Sequence, residues 1–267
     1  MIKVIAEIGW NHMGDLALAK RMINEASENG AHYAKFQTWS VSRLKPGPWD
    51  DDGRRQIYEK AELSYDDHVF LMDECKNAGI IFMSSVFSIP DAKLLKKVGC
   101  TAVKIPSFES RNHELIDFCA KNFNLVVMIS GTSSFDEVAK SVDYLKTANE
   151  WVLLHCVSVY PCDYGIANLG KMAKLTSFTD EVGYSDHIQG VESAKIAIMN
   201  GALMIEKHFT VDRELPGRDN KFAILPEELK DLTQFIHRID LMQCGDGFGY
   251  DEKETESREL YTGRFDA

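Results

Sequence analysis

The chain has 267 residues, 45% hydrophobic and 27% charged, which is enough apolar material for a core and the length of one large α/β barrel or two small domains. Thirty Lys and Arg against 41 Asp and Glu leave a net charge of −11, which excludes a general basic surface for DNA, RNA or anionic lipid, so any anion site must concentrate its positive charge locally. No apolar run approaches the roughly 20 residues of a membrane span, MIKVIAEIGW at the start carries a glutamate and no cleavage pattern, and Cys75, Cys100, Cys119, Cys156, Cys162 and Cys244 form no CxxC pair, all of which points to a cytoplasmic protein with free thiols.

Short apolar runs rich in β-branched residues recur along the chain, each followed by an amphipathic stretch. Strands are expected at Lys3–Ile8, Tyr33–Gln37, Ile80–Ser84, Ala102–Ile105, Val126–Ser130, Val152–Cys156, Glu181–Ser185 and Leu203–Phe209. Helices are expected at Leu16–Asn29, Tyr65–Asn77, Asp91–Val98, His113–Lys121, Phe135–Ala148, Gly170–Thr176, Val191–Asn200 and Pro226–Asp240. Ser64 with Asp67, and Ser134 with Glu137, read as capping boxes. Such alternation implies parallel strands with right-handed crossovers. Eight βα units fit a single-domain (β/α)8 TIM barrel over residues 1–240 better than an open doubly wound sheet, because GWNHMG after strand one lacks the GxGxxG phosphate cradle. The long Thr38–Ser64 connection is expected to cover the mouth as a lid or to pack as a short irregular insertion. Residues 241–267 read as an acidic tail too short for a second domain.

A barrel active site forms at the C-terminal ends of its strands, and polar residues collect there. In chain order they are Glu7, Asn11 and His12; Lys35 and Gln37 on one face; Ser84 and Ser85; Lys104, Ser107 and Glu109; Ser130 and Thr132; His155, Ser158 and Tyr160; Ser185, Asp186 and His187; and Glu206 with His208 on one face. A lysine inside AVKIP or YAKFQ is costly to bury without an anionic partner, either a carboxylate such as Glu7 or Glu109 or a ligand. Lys35 and Lys104 with nearby hydroxyls therefore suit a small polyanion carrying phosphate and carboxylate. Ser107, Ser130 and Ser185 can equally be read as helix caps. His187 and His208 at the ends of adjacent strands, beside Glu7, suit a divalent metal with open positions. His12 and His155 read as orienting or structural groups, and Cys156 and Cys162 as packing residues.

IAEIGWNHMG, YAKFQ, VKIPSFES, LLHCVSVYP, GYSDHIQG and EKHFTVDRELPGRDNKF, in this order, resemble the N-acetylneuraminate (sialic acid) synthase family and its relatives that make other nonulosonic acids. The likeness spans about Ile2 to Leu229. It implies condensation of phosphoenolpyruvate with an open-chain N-acylated aldose to a 2-keto-3-deoxy sugar acid and phosphate, assisted by a divalent metal, Mn2+ first and Mg2+ or Co2+ as alternatives. It makes His187 and His208 the metal ligands, and gives Lys35, Lys104, Ser107, Ser130 and Ser185 to phosphoenolpyruvate. Gln37, Ser158, Tyr160 and Asp219 would face the sugar, with Glu7 and Glu109 as the acid–base pair. The family is usually a domain-swapped homodimer whose antifreeze-like domain lends an arginine to the partner's sugar site. The chain ends at about the point where that domain would begin, so a separate partner domain, Arg218, or the Lys45–Arg55 loop is expected to supply the contact. Ser130-Gly131-Thr132 and Arg218 depart from the family's serine–threonine–glycine and GPD patterns. Two other readings are a metal-dependent pyruvate aldolase or lyase, with Schiff-base chemistry at Lys104 as a variant, and a non-catalytic barrel subunit of a synthase complex.

Overall fold

A computed structural model of the chain describes residues 2–245 and 247–265. Eight parallel strands close into a barrel in sequence order: β1 (Lys3–Gly9), β2 (Tyr33–Thr38), β3 (Ile81–Val86), β4 (Ala102–Ile105), β5 (Leu125–Ile129), β6 (Glu150–Cys156), β7 (Val182–Asp186) and β8 (Met204–His208). The barrel helices follow as α1 (Leu16–Glu28), α3 (Tyr65–Ala78), α4 (Ile89–Val98), α5 (His113–Asn122), α6 (Phe135–Leu145), α7 (Met172–Leu175), α8 (Glu192–Met199) and α9 (Pro226–Met242). Strand alternation divides the core in two. Val4, Ala6, Ile8, Phe36, Val103 and Ile205 face the helices, while Ile5, Met83, Val127, Leu154 and Met204 fill the barrel. Above that inner apolar layer the inward positions turn polar, and this layer forms the floor of the mouth.

Both expected capping boxes are present, Ser64 with Asp67 at α3 and Ser134 with Glu137 at α6. Gly79 and Gly99 end α3 and α4 at φ of +74° and +89°, a conformation that an L side chain adopts only with strain. Two segments carry more order than the sequence suggests. The Thr38–Ser64 connection holds α2 (Arg54–Ala61), and the tail holds α10 (Thr255–Tyr261). Trp39 and Tyr58 fasten the connection to Trp10 after β1, with ring centroids 6.2 Å and 5.3 Å from that indole. Hydrophobicity there is carried by isolated aromatics rather than by a periodic stripe, which hides the helix from pattern reading. Helix α9 runs to Met242, past the boundary expected at residue 240. Met1, Asp246, Asp266 and Ala267, which the sequence reading assigned to the barrel's start and the tail, lie outside the described residues. Among the described residues no helix is long and apolar enough to cross a membrane.

Candidate active site

Parallel register places Glu7 of β1 level with Lys35 of β2 and His208 of β8, and Glu206 of β8 level with Ser185 of β7. All five point inward, and the side chains of Glu7, Lys35, Glu206 and Ser185 join one buried network. Lys35 Nζ lies 2.5 Å from Glu7 Oε2 and 3.5 Å from Glu206 Oε2, and donates to Ser85 Oγ at 2.9 Å. Lys104 Nζ lies 3.2 Å from Glu206 Oε1, which also accepts from Ser185 Oγ at 2.9 Å. Gln37 Nε2 donates to Glu7 Oε1 at 2.6 Å. Two ammonium groups and two carboxylates thus share one water-poor space, with Glu206 as the bridge.

Burial and charge act differently on the two glutamates. Glu7 is pushed above the usual carboxylate range by burial, with Lys35 opposing and the Glu206 charge reinforcing the rise. Burial pushes Glu206 the same way, but Lys104, Lys35 and the Ser185 hydroxyl outweigh it and hold this carboxyl well below its ordinary value. Glu206 is therefore the carboxylate that stays ionised and Glu7 the one suited to carry a proton, the divergence expected of an acid–base site. Among the lysines, burial lowers both, but Glu206 and Glu7 together keep Lys35 charged and shift it upward. Lys104 ends below its ordinary value, because burial and the neighbouring Lys35 outweigh the opposing pull of Glu206.

Beside this network stand the two histidines, with ring centroids 5.4 Å apart. His187 Nδ1 donates to Val157 O at 2.8 Å, so the lone pair lies on Nε2. Burial lowers His187 to about 4, and burial with the nearby His187 lowers His208 well below the ordinary imidazole value. His208 Nδ1 is buried with no hydrogen-bond partner, and Asp219 Oδ2 lies 3.6 Å away. Two neutral imidazoles with free lone pairs, one oriented by a backbone carbonyl, fit a divalent metal. Among the described residues no third His, Cys, Asp or Glu joins them in a metal-binding group. The carboxylate expected from Glu7 is engaged with Lys35 and Gln37, which leaves the remaining positions to water or ligand. Tyr160 leans over both rings, 4.1 Å from His187 and 6.0 Å from His208, with Phe222 closing the edge 5.0 Å from His208. Burial, then the Glu7 charge, raises Asp219 to about 7.

A third group of side chains completes the mouth. Ser158 Oγ donates to Ser107 Oγ at 2.7 Å, and Cys156 Sγ lies 3.8 Å from Ser158 Oγ and 3.8 Å from His187 Nδ1. Gly131 lies so close that a Cβ there would stand 2.2 Å from Ser107 Oγ and 2.6 Å from Ser158 Oγ. The glycine of Ser130-Gly131-Thr132 is thus required by this approach, and Thr132 Oγ1 donates to Ser107 O at 3.2 Å.

Most residues named from the sequence converge here: Glu7, Lys35, Gln37, Lys104, Ser107, Ser158, Tyr160, Ser185, His187, His208 and Asp219. Two stand apart. Glu109 accepts from Asn112 at the rim, and the charges that bear on it are Lys45 and Asp91 rather than the barrel lysines. Ser130 makes only backbone bonds, from its N–H to Leu154 O and from Ser133 N–H to its own carbonyl. Arg54 and Arg55, in the loop expected to offer a cation, are paired with Asp52 and Asp50, whereas Arg218 is exposed and its charge bears on Asp219. His12 and His155 are structural: the Gly14 N–H donates to His12 Nδ1, and His155 Nε2 donates to Ala167 O, both outside the barrel interior. Sequence reasoning left Glu206 without a role although its period-two spacing from His208 puts it on the same face. It placed Ser85 at the mouth without a role and read Cys156 as a packing residue, and it passed over Phe222, for which spacing carried no distinguishing signal.

The chain is similar to known proteins over nearly all of its length. Residues 22–247 match the model of the NeuB family. The chain is 35% identical to the N,N'-diacetyllegionaminic acid synthase of Legionella pneumophila, with 96% of this chain and 76% of that protein aligned. It is 31% identical to the pseudaminic acid synthase of Campylobacter jejuni, over 96% and 78% of the two chains. A crystal structure of the sialic acid synthetase of Leptospira borgpetersenii in complex with citrate superposes with a TM-score of 0.87 at 32% identity, covering 98% of this chain and 92% of that one. The chain belongs to the NeuB family.

Proposed function

From that membership and the geometry of the barrel mouth, we propose that the protein condenses phosphoenolpyruvate with an N-acylated aldose, giving a 2-keto-3-deoxy nonulosonic acid and inorganic phosphate. The observation that carries this reading is the Lys35–Glu206–Lys104 bridge. Two lysines inside a barrel, flanked by hydroxyls, match a ligand with phosphate and carboxylate at opposite ends better than a neutral sugar alone. Lys35, Lys104, Ser107, Ser130 and Ser185 would hold phosphoenolpyruvate, while Gln37, Ser158, Tyr160 and Asp219 would face the sugar. His187 and His208 would hold a divalent ion, Mn2+ first and Mg2+ or Co2+ as alternatives, which when bound supplies Lewis-acid polarisation of the aldehyde.

The reaction joins C3 of phosphoenolpyruvate to the aldehyde carbon, adds a water oxygen at C2, and breaks the C2–O bond so that phosphate leaves. Glu7 would deliver its proton to the sugar alkoxide as the C–C bond forms, since of the two network glutamates it is the one that burial pushes above the usual carboxylate range. Glu206 would remain ionised and keep both ammonium groups oriented toward the anion. We assign the proton transfer to Glu7 rather than Glu109 because only Glu7 belongs to the network. A homodimer, or a separate partner domain, would complete the sugar site, and sedimentation with and without substrates tests this part. A cytoplasmic location accompanies the reading.

The test of the function is phosphate release from phosphoenolpyruvate and Mn2+ with a panel of N-acyl aldoses, with and without chelator. Sugar-dependent, chelator-sensitive release supports the proposal, and the responding sugar narrows the product. Release of phosphate without any sugar requirement would overturn it. Lys104 sits below the ordinary lysine value, as Schiff-base chemistry requires, so borohydride trapping with pyruvate tests the aldolase alternative; the proposal predicts no trapped adduct.

A further inference from the structure

One buried ion pair at the barrel mouth has no part in the reaction as derived. Strand alternation turns Ser185, Glu206 and His208 inward, and their neighbours Asp186 and Lys207 outward, where both are buried beneath α8. Asp186 Oδ2 lies 3.0 Å from Lys207 Nζ and accepts from Ser193 Oγ, in the first turn of α8, at 2.6 Å. Asp186 Oδ1 accepts from the Ile188 N–H at 2.9 Å. Lys207 Nζ also donates to the Ile188 carbonyl. His187 stands between these anchors: the residue before it holds the residue after it, and Lys207, next to His208, closes the clamp from β8. With the ring already fixed by its bond to Val157 O, backbone and side chain of His187 are both held.

We propose that Asp186 and Lys207 are positioning residues that aim the free nitrogen of His187 and so set the affinity of the site for a divalent ion. This rests on the reading of His187 as a metal ligand. A merely structural pair would behave differently. Replacing a whole buried ion pair by uncharged residues of similar volume often leaves stability intact, whereas removing one partner does not. The double variant Asp186→Asn/Lys207→Met therefore separates folding from aim.

The test measures the partition of Mn2+ from the electron paramagnetic resonance signal of the free ion, without substrates, for the full chain. Wild type, His187→Ala, Asp186→Asn and the double variant are compared, each with its thermal melt. His187→Ala is expected to abolish tight binding. The double variant is expected to melt near wild type while its Mn2+ dissociation constant rises about 10- to 100-fold, the usual cost of losing a group that orients a metal ligand. Metal-free phosphoenolpyruvate binding should be unchanged. If the double variant binds Mn2+ like wild type while His187→Ala does not, the clamp has no positioning role and the ligand assignment stands. If His187→Ala binds like wild type, the ligand assignment falls and the clamp with it. Should the double variant fail to fold, Ser193→Ala removes one anchor without altering charge. A severalfold weakening of Mn2+ binding is then expected, and no weakening overturns the proposal.

Discussion

Replacing Glu206 by glutamine tests the charge logic of the mouth at its bridge. The substitution keeps the shape and leaves an amide oxygen that can still accept from Ser185, but it removes the one carboxylate placed against Lys104. Without the Glu206 charge that helps to raise it, Glu7 ionises more readily beside Lys35 at 2.5 Å, so the excess falls on a single buried cation, Lys104. Breaking a buried pair from one side typically costs about 3–5 kcal/mol. At about 2–4 °C per kcal/mol for a chain of this size, the metal-free protein should melt about 6–20 °C lower. Two further outcomes follow from the same reasoning. Lys104→Met/Glu206→Gln, which removes both charges, should recover most of the loss. Inorganic phosphate or phosphoenolpyruvate, by returning negative charge to the site, should raise the melting temperature of Glu206→Gln more than that of wild type. Thermal unfolding followed by circular dichroism, with chelator and a phosphate titration, measures all three. A single variant that melts with wild type, or that gains no more from anion than wild type, would refute the account of a charge-compensated anion site.

Glu7→Gln should lower kcat by about 10²- to 10⁴-fold, the range of a lost general acid, with little change in phosphoenolpyruvate affinity; steady-state kinetics beside calorimetric binding separates the two. Gly131→Ala places a methyl within 2.2 Å of Ser107 Oγ and 2.6 Å of Ser158 Oγ, so phosphoenolpyruvate affinity should fall while the fold persists. Asp219 is raised to about 7 in the native state, so the folded protein favours its protonated form. Its contribution is fully present below the ordinary carboxyl value and is lost as pH rises through about 7. The melting temperature of metal-free Asp219→Asn, relative to wild type, should therefore climb between pH 5 and pH 8, and a constant difference would argue against a buried, protonated Asp219.

The fold was legible because its information is periodic. Parallel strands read as apolar runs, Gly79 and Gly99 mark helix ends, and the capping residues Ser64 and Ser134 mark helix starts without any tertiary context. The connection after β2 was less legible, since α2 depends on Trp39 and Tyr58 meeting Trp10, a contact between distant parts of the chain. Site residues followed the same division. Lys35 and Lys104 stood out because a lysine in an apolar strand demands a partner, and the structure supplies Glu7 and Glu206. Glu206 carried the same alternation signal as His208 yet had no assigned role, because one sequence does not say which carboxylate meets which ammonium across a closed barrel. Glu109 was named on its position after β4, but the loop turns it toward Asn112 at the rim.

The measurement that tests the central claim most directly uses phosphoenolpyruvate carrying 18O in the bridging C–O–P position, incubated with Mn2+ and the responding N-acyl aldose. C2–O cleavage, as proposed, sends the heavy oxygen out with the phosphate, one labelled phosphate for each sugar acid formed. Unlabelled phosphate with the heavy oxygen left on the three-carbon fragment would mean P–O cleavage, and would contradict the condensation proposed for this barrel.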